Sequence, residues 1–320
     1  MKISHQKLVT IFFTVIVLAV GTVGQAGLVS YIAIGLNPSG FFSSEAAGIS
    51  GTQQVGYGST GGNSRALLWN GSAASYVDLN HSGLLVSLAL GTSGTQQVGY
   101  GTTGGYYHAL LWNGSADSCI DLNPSGFYDS FAQGTSGTQQ VGYGWGSATG
   151  GIYHALLWNG SPASYVDLNP SGFDVSLAQG ISGTQQVGSG RDFGGGYNHA
   201  LLWSGSAASY VDLNPSGFDE SYAQGTSGTQ QVGYGRGPVT GDYEHALLWN
   251  GSADNYIDLH QFLSSDFTSS EALGIAGNGN IVGYAYDGLG YHHAILWEPV
   301  PEPATLLLLG LGAVMLRKRR

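Results

Sequence analysis

Apolar and polar positions between residues 43 and 297 fall into short runs that recur about every 45 residues. In the third copy, the strand candidates are SFAQGTS at Ser130–Ser136 and QQVGY at Gln139–Tyr143, followed by HALLW at His154–Trp158 and YVDLN at Tyr165–Asn169. Short runs bounded by glycine, asparagine and proline predict β-strands, and Asn-Gly after an apolar strand is typical of a hairpin. Long helical periodicity is absent, so each copy is expected to contain four strands.

Two markers show that the repeat occurs six times. The sequence GTQQVG begins at Gly51, Gly94, Gly137, Gly183 and Gly228, with the variant GNGNIVG at Gly277. The sequence ALLW ends at Trp69, Trp112, Trp158, Trp203 and Trp249, with AILW ending at Trp297. Four strands per unit, repeated radially, are typical of a propeller blade. The sequence therefore predicts an all-β fold, a six-bladed β-propeller of four-stranded blades.

The two ends of the array have complementary gaps. The sixth unit stops at Glu298-Pro299 without a fourth strand, whereas Ile34–Pro38 matches a fourth strand that has no unit before it. Because an open ring would leave unpaired strand edges, we expect Ile34–Asn37 to pair beside Ala294–Trp297 and close the last blade. Gly35 stands where the other units have aspartate, so this shared blade is expected to be the weakest.

Residues 1–26 have the pattern of a secretory signal peptide. Lys2 and Lys7 precede a nearly unbroken apolar run from Leu8 to Val23, and small residues at Gly24 and Ala26 suit cleavage after Ala26. This helical segment predicts export and leaves residues 27–299 as the propeller.

Residues 300–320 combine the triplet Pro301-Glu302-Pro303, an apolar stretch from Ala304 to Leu316 and a basic end, Arg317–Arg320. This tail resembles the PEP-CTERM sorting signal of Gram-negative bacteria. The resemblance implies a short helical transmembrane segment that anchors the chain transiently in the inner membrane. It also implies cleavage near the triplet by an exosortase-type membrane protease, and delivery to the cell surface or extracellular matrix.

The repeated units also resemble the HAF family of extracellular repeats. The matching residues in the third and fourth units are His154–Trp158, Asp167-Leu168 and Val187-Gly188, and leucine or isoleucine replaces the phenylalanine of the family pattern. The resemblance implies a secreted or surface repeat protein and offers no catalytic residues.

Charge narrows the range of partners. All 20 acidic residues lie between Glu45 and Glu302, where the only basic residues are Arg65, Arg191 and Arg236. Nucleic acid is a poor partner for such a chain, because binding phosphate requires basic patches. Cys119 is the only cysteine, so an intrachain disulfide is excluded.

Histidine recurs at the start of the third strand, and aspartate recurs in the fourth. The histidines are His108, His154, His199, His245 and His293, and the aspartates are Asp78, Asp121, Asp167, Asp212 and Asp258. One interpretation is a ring of metal ligands. Radial repetition spreads equivalent side chains apart, however, whereas zinc needs ligands at about 2 Å. We therefore predict a structural hydrogen bond in each blade, with no metal and no cofactor.

The loops after the second strands vary in length and are rich in aromatic residues. Candidate ligand-binding residues there are Trp145, Tyr153, Phe193, Tyr197, Tyr243 and Tyr286. Variable loops on a rigid scaffold often carry recognition, so one hypothesis is a non-catalytic propeller that binds carbohydrate or extracellular matrix. Two alternatives stay open. One is a purely structural matrix or coat component with unselected loops. The other, less favoured, is a propeller hydrolase, because no nucleophile stands beside a base.

Overall fold

A computed structural model describes residues 34–194 and 196–300, which form six antiparallel sheets in chain order. In the first five sheets the strands are hydrogen-bonded in sequence order, so each is an up-and-down blade of four strands. The predicted six-bladed β-propeller is confirmed. The expected signal peptide and residues 301–320 of the tail lie outside the described residues. Within the described ranges, no helix is long and apolar enough to span a membrane.

The strands of blades 1–3 have the following bounds. Blade 1 contains β1 (Ser43–Ser50), β2 (Gln53–Ser59), β3 (Ser64–Trp69) and β4 (Val77–Asp78). Blade 2 contains β5 (Val86–Thr92), β6 (Gln97–Thr102), β7 (Tyr107–Trp112) and β8 (Ile120–Asp121). Blade 3 contains β9 (Phe127–Thr135), β10 (Gln140–Gly146), β11 (His154–Trp158) and β12 (Val166–Asp167).

Blades 4–6 continue the same order. Blade 4 contains β13 (Phe173–Ser182), β14 (Gln185–Asp192), β15 (Asn198–Trp203) and β16 (Val211–Asp212). Blade 5 contains β17 (Glu220–Thr226), β18 (Gln231–Arg236), β19 (His245–Trp249) and β20 (Tyr256–Asp258). Blade 6 contains β21 (Phe267–Ile275), β22 (Ile281–Asp287) and β23 (His292–Trp297). Short 3-10 helices occupy Ala73–Ser75, Ala116–Ser118, Ser147–Thr149, Pro162–Ser164, Ala207–Ser209, Pro238–Thr240 and Leu259–Phe262.

In blade 3 the predicted third strand matches β11, while the other three strands differ at their ends. The fourth strand is shorter than predicted, because the single-turn helix Pro162–Ser164 shapes the chain before it. Ser164 Oγ accepts hydrogen bonds from the backbone N–H groups of Asn159 and Ser161, at 2.9 and 3.3 Å. Capping of this kind holds the connection in a turn, so the outer strand has only two residues.

Hydrophobic clusters join neighbouring blades. Between blades 4 and 5 the cluster contains Val187, Ala200, Leu202, Leu213, Phe218, Ala223, Leu247 and Trp249. Four similar clusters join the other consecutive pairs from blade 1 to blade 6. Trp69, Trp112, Trp158, Trp203 and Trp249 are fully buried. The repeated tryptophan is therefore part of the core, where a large aromatic side chain contributes most by its burial.

A buried serine also links consecutive blades. Ser176 of β13 accepts a hydrogen bond from the backbone N–H of Ala155 at 3.0 Å, and its hydroxyl donates to Asn169 Oδ1 at 2.7 Å. The backbone N–H of Asn169 in turn donates to Asp167 Oδ1 at 2.8 Å. This chain of bonds fixes how the fourth strand of one blade leads into the first strand of the next.

The expected closure of the last blade by an N-terminal strand is wrong in this structure. Within the described residues the sixth sheet has three strands, β21, β22 and β23, and Leu36–Pro38 form none. Gly35 supplies no carboxylate at the position where the other blades have aspartate. The fourth-strand sequence therefore lacks the anchor that the other five blades use.

Candidate binding site at the inner strands

The first, innermost strand of each blade carries one position at which the repeat varies. Each first strand contains the sequence Ser-x-Ala, in which x is the variable residue. From blade 2 onward, the serine and alanine pack against the preceding blade, and residue x lies opposite a residue of the second strand. We call the resulting cross-strand pairs the axial pairs: Glu45–Tyr57, Leu88–Tyr100, Phe131–Tyr143, Leu177–Ser189, Tyr222–Tyr234 and Glu271–Tyr284. Because near-identical blades differ here, the axial pairs make the inner surface asymmetric.

Blades 2 and 3 form an aromatic patch, defined by the partly exposed side chains of Tyr106, Tyr128, Trp145 and Tyr153. The rings of Tyr106 and Tyr128 are stacked with centroids 5.3 Å apart, and Tyr128 meets Trp145 edge-on at 5.2 Å. The ring centroids of Trp145 and Tyr153 are 6.2 Å apart. These separations fall in the favourable range for aromatic pairs, so the patch is a continuous surface.

A second layer of aromatic rings supports the patch. The ring centroid of Phe131 lies 5.0 Å from that of Tyr100 and 5.2 Å from that of Tyr143. The ring centroids of Tyr143 and Tyr153 are 5.6 Å apart. Burial is the main cause that raises the pKa of Tyr143 and of Tyr153, so their hydroxyls stay protonated at neutral pH. The supporting layer spans two blades and limits movement of the exposed rings.

Asp129 fixes the orientation of Trp145. Its Oδ2 accepts a hydrogen bond from Trp145 Nε1 at 2.6 Å, and its Oδ1 accepts one from the backbone N–H of Tyr107 at 2.6 Å. A carboxylate bound from both blades holds the indole in one rotamer. Preorganised aromatic groups lose little conformational entropy when they bind a ligand.

The loop that carries Tyr153 is compact for a reason visible in the sequence. Thr149 Oγ1 accepts from the backbone N–H of Gly146 at 3.1 Å and donates to the carbonyl of Ile152 at 2.6 Å. The loop of blade 5 repeats this arrangement around Thr240. The shared spacing, GSATGG and GPVTGD, is a signal from which both loop conformations could have been predicted.

Blades 5 and 6 present hydroxyl and carboxylate groups at the equivalent positions. The rings of Tyr222 and Tyr234 are stacked at 4.9 Å, and Tyr222 OH accepts from Asn198 Nδ2 at 2.9 Å. Glu220 forms an ion pair with Arg236. Burial, aided by the negative charge of Glu244, raises the pKa of Glu271 against the opposing hydrogen bond from Tyr284. This side is polar, whereas the blade 2–3 side is aromatic.

The structure brings together only some of the aromatic residues predicted to bind ligand. Trp145 and Tyr153 lie in the aromatic patch, and Tyr286 stacks on His292 at 5.2 Å in blade 6. The remaining three, Phe193, Tyr197 and Tyr243, are exposed and contact no other aromatic ring in the described part of the chain. Sequence reasoning missed Tyr106 and Tyr128, although variation at the axial pairs points to the same blades.

The predicted histidine and aspartate side chains meet in four blades. His108, His154 and His199 place Nδ1 2.7 Å from Asp121, Asp167 and Asp212, and His245 lies 2.8 Å from Asp258. In blade 1, Arg65 takes the place of histidine and binds Asp78. His293 instead lies 3.1 Å from Asp287 of its own hairpin. Nowhere among residues 34–194 and 196–300 do three metal-binding side chains gather.

Cys119 packs against the cluster between blades 1 and 2, at the position of a tyrosine in the other units. Burial is the main cause that raises the pKa of its thiol to about 11. The thiol is therefore protonated at neutral pH, and a protonated thiol is a poor nucleophile.

Comparison with known proteins identifies the tail and the fold. Residues 299–320 match the PEP-CTERM protein-sorting motif. No curated protein has a significantly similar sequence. The fold is similar to the β-propeller domain of the Trilobed protease from Pyrococcus furiosus, with a TM-score of 0.57 at 9% identity. That match covers 82% of this chain and 84% of that propeller domain, which has an open velcro topology.

Two further structures share the fold. Puromycin hydrolase gives a TM-score of 0.55 at 10% identity, and an acylaminoacyl peptidase from Pyrococcus horikoshii gives 0.51 at 12%. Each match covers 81% of this chain but only 44% and 46% of those proteins. At such identities the likeness extends to the fold alone. The chain is thus a six-bladed β-propeller whose PEP-CTERM motif implies processing by an exosortase and export to the cell envelope or extracellular space.

Proposed function

We propose that the propeller is a non-catalytic binding protein of the cell surface or extracellular matrix, and that its aromatic patch binds a polysaccharide. The observation that carries this proposal is the continuous set of Tyr106, Tyr128, Trp145 and Tyr153. Flat aromatic faces suit the apolar faces of sugar rings, and tyrosine hydroxyls can hydrogen-bond to sugar hydroxyls.

Charge favours a neutral polymer as the ligand. The segment from Glu45 to Glu302 holds 20 acidic residues and three arginines, all three of which face carboxylates. Acidic polysaccharides would therefore be repelled at low salt. Before release, the chain is held transiently in the inner membrane and cleaved by an exosortase-type protease. The resemblance of the units to HAF repeats supports the same surface location.

Affinity electrophoresis of the purified protein in gels containing neutral polysaccharides, such as a β-glucan, a xylan or a galactomannan, tests the proposal. We expect at least one polymer to retard the native protein. Trp145→Ala and Tyr128→Ala should each weaken that retardation about tenfold, which corresponds to about 1.4 kcal/mol. Tyr243→Ala removes a tyrosine that is more exposed than either and contacts no other aromatic ring among the described residues, and this variant should migrate like the native protein.

Failure of every polymer to retard the protein would favour the purely structural alternative. If Trp145→Ala and Tyr243→Ala weakened the retardation equally, binding would instead be assigned to the exposed loops in general. Shortening of a polymer during the assay would revive the hydrolase alternative.

A further inference from the structure

Among the described residues, one face of the sixth blade lacks the neighbouring blade that packs against the same face of the other five. A Cβ atom added at Gly91 would lie 2.8 Å from the carbonyl oxygen of Gln133 in the next blade. A Cβ atom added at Gly180 would lie at the same distance from the carbonyl oxygen of Gln224. At the equivalent Gly274, the only described atom within 4 Å is Val282 Cγ2 of its own blade, at 3.6 Å. Within the described residues, no inner strand therefore packs against β21 on this side.

The uncovered side chains of blade 6 are those that form the core elsewhere. Val282 and Leu296 are 53% and 51% exposed, whereas the equivalent Val232 and Leu248 of blade 5 are 0% and 8% exposed. Ala294 is likewise exposed. We call Val282, Ala294 and Leu296 the terminal face of blade 6. It consists of small and branched apolar groups without a charge.

Blade 1 carries the complementary surface along β1. Ala46 and Ile49 are exposed, although alanine at the position of Ala46 is buried in every other blade. No hydrogen bond joins the hydroxyl of Ser44 to Ala294 among the described residues, whereas the equivalent Ser87 accepts from Ala66 at 2.9 Å. Leu67 and Trp69 are already buried, so the surface available on blade 1 is β1 itself.

We propose that the terminal face of blade 6 binds β1 of a second copy of this chain. The argument is continuity with an established interface, since the fold forms this sheet-to-sheet contact at five places. In one molecule the terminal face of blade 6 and residues Ala46 and Ile49 of β1 stay exposed, so a second molecule can supply the partner for either surface. A contact between different surfaces of identical copies is heterologous and produces rings or linear assemblies.

Net negative charge opposes this contact between copies. Residues 45–302 carry far more acidic than basic groups, so two molecules repel each other at low ionic strength. Salt screens that repulsion, with a Debye length of about 10 Å at 0.1 M, and also strengthens apolar association. Assembly is therefore expected to increase with salt, which distinguishes it from association through ion pairs.

Sedimentation velocity of the purified full chain tests the proposal with two variants that block one half of the contact each. Leu296→Glu places a charge on the terminal face, and Ala46→Glu places one on β1. The native protein should form species larger than a monomer at about 0.5 M salt, whereas each variant alone should be monomeric. Leu289→Glu changes an apolar residue that is 82% exposed and outside both surfaces, and it should assemble like the native protein.

Mixing the two blocked variants gives the decisive measurement. Each retains the half that the other has lost, so an equal mixture should contain dimers and no larger species. A native protein that stays monomeric at every concentration and salt level would overturn the proposal. Closure of the ring within one molecule would give this result, because blades 1 and 6 would then cover each other. A mixture that stays monomeric, or single variants that still assemble, would overturn it too.

Discussion

At the scale of single residues, the aspartate of the fourth strand holds each blade together by binding two groups at once. In blade 4, Asp212 Oδ2 lies 2.7 Å from His199 Nδ1, and its Oδ1 accepts from the backbone N–H of Asn214 at 2.8 Å. One carboxylate thus joins the third strand to the turn after the fourth. Blade 6 lacks this aspartate within the described residues, and His293 binds Asp287 instead.

Replacing His199 should lower the melting temperature more at acidic than at alkaline pH. The hydrogen bond that His199 donates to Asp212 is the main cause that raises the pKa of His199, against the opposing effect of burial. A folded-state pKa above the unfolded value gives stability that is complete below the unfolded pKa and is lost as pH rises through the folded pKa.

Thermal unfolding of His199→Ala at about pH 5.5 and about pH 8.5 checks this, since histidine ordinarily titrates near 6.5. The melting temperature should fall by about 2 °C at the acidic pH, as expected when a half-exposed pair such as His199 and Asp212 is removed, and by less at the alkaline pH. His81→Ala serves as the control, because His81 is exposed and pairs with no carboxylate in the described part of the chain. A loss that grows with pH would contradict the assignment.

At the scale of elements, a bulge in each first strand requires the glycine of the Val-Gly pair in the second strand. In blade 3 the register shifts between Gly134–Val141 and Ala132–Gly142. A side chain at Gly142 would lie 1.8 Å from the carbonyl oxygen of Phe131. The bulge brings the two backbones too close for any Cβ, so glycine is needed for approach and not for flexibility.

Gly142→Ala should therefore destabilise the propeller by about 3 kcal/mol or more, because the strand backbones must separate. Urea unfolding followed by tryptophan fluorescence measures the change. Gly105→Ala adds the same methyl group at a loop position with no atom within 4 Å, and it should change stability by less than about 0.5 kcal/mol. Equal stabilities of the two variants would refute the close approach.

At the scale of the whole molecule, stability depends on contacts between blades, and these are unequal around the array. Ser176 joins blades 3 and 4 through one buried and one partly buried hydrogen bond, whereas its counterpart Ser44 makes no such bond among the described residues. The five completed interfaces behave as nearest-neighbour links, as in other repeat arrays. Among the described residues, blades 1 and 6 each form such a cluster with one other blade only.

Ser176→Ala should cost about 1–3 kcal/mol, because it leaves the buried N–H of Ala155 without an acceptor. The same substitution at Ser44 should be nearly neutral, since within residues 34–194 and 196–300 that hydroxyl accepts no hydrogen bond from another blade. Urea unfolding of the monomer at low salt compares the two. A comparable loss in Ser44→Ala would indicate that blades 1 and 6 meet in solution.

The amino-acid sequence by itself determined the number of blades, their strands and the buried tryptophans. Each of these follows from local pattern: short runs bounded by turn residues predict the strands, Asn-Gly predicts the hairpins, and repetition fixes the count. The pairing of histidine with aspartate was also predictable, because both recur at fixed positions in strands that must be neighbours. The sorting motif needed no fold at all, since it is a linear signal.

Only the tertiary structure decided which side chains gather and which surfaces stay open. Tyr106, Tyr128 and Trp145 come from two different blades, and their contact depends on the angle between those blades. The exposed face of blade 6 within the described residues could not be predicted from the sequence either, because complementary ends in a sequence do not reveal whether they meet. Local pattern specifies each strand, whereas the meeting of distant strands depends on packing over the whole array.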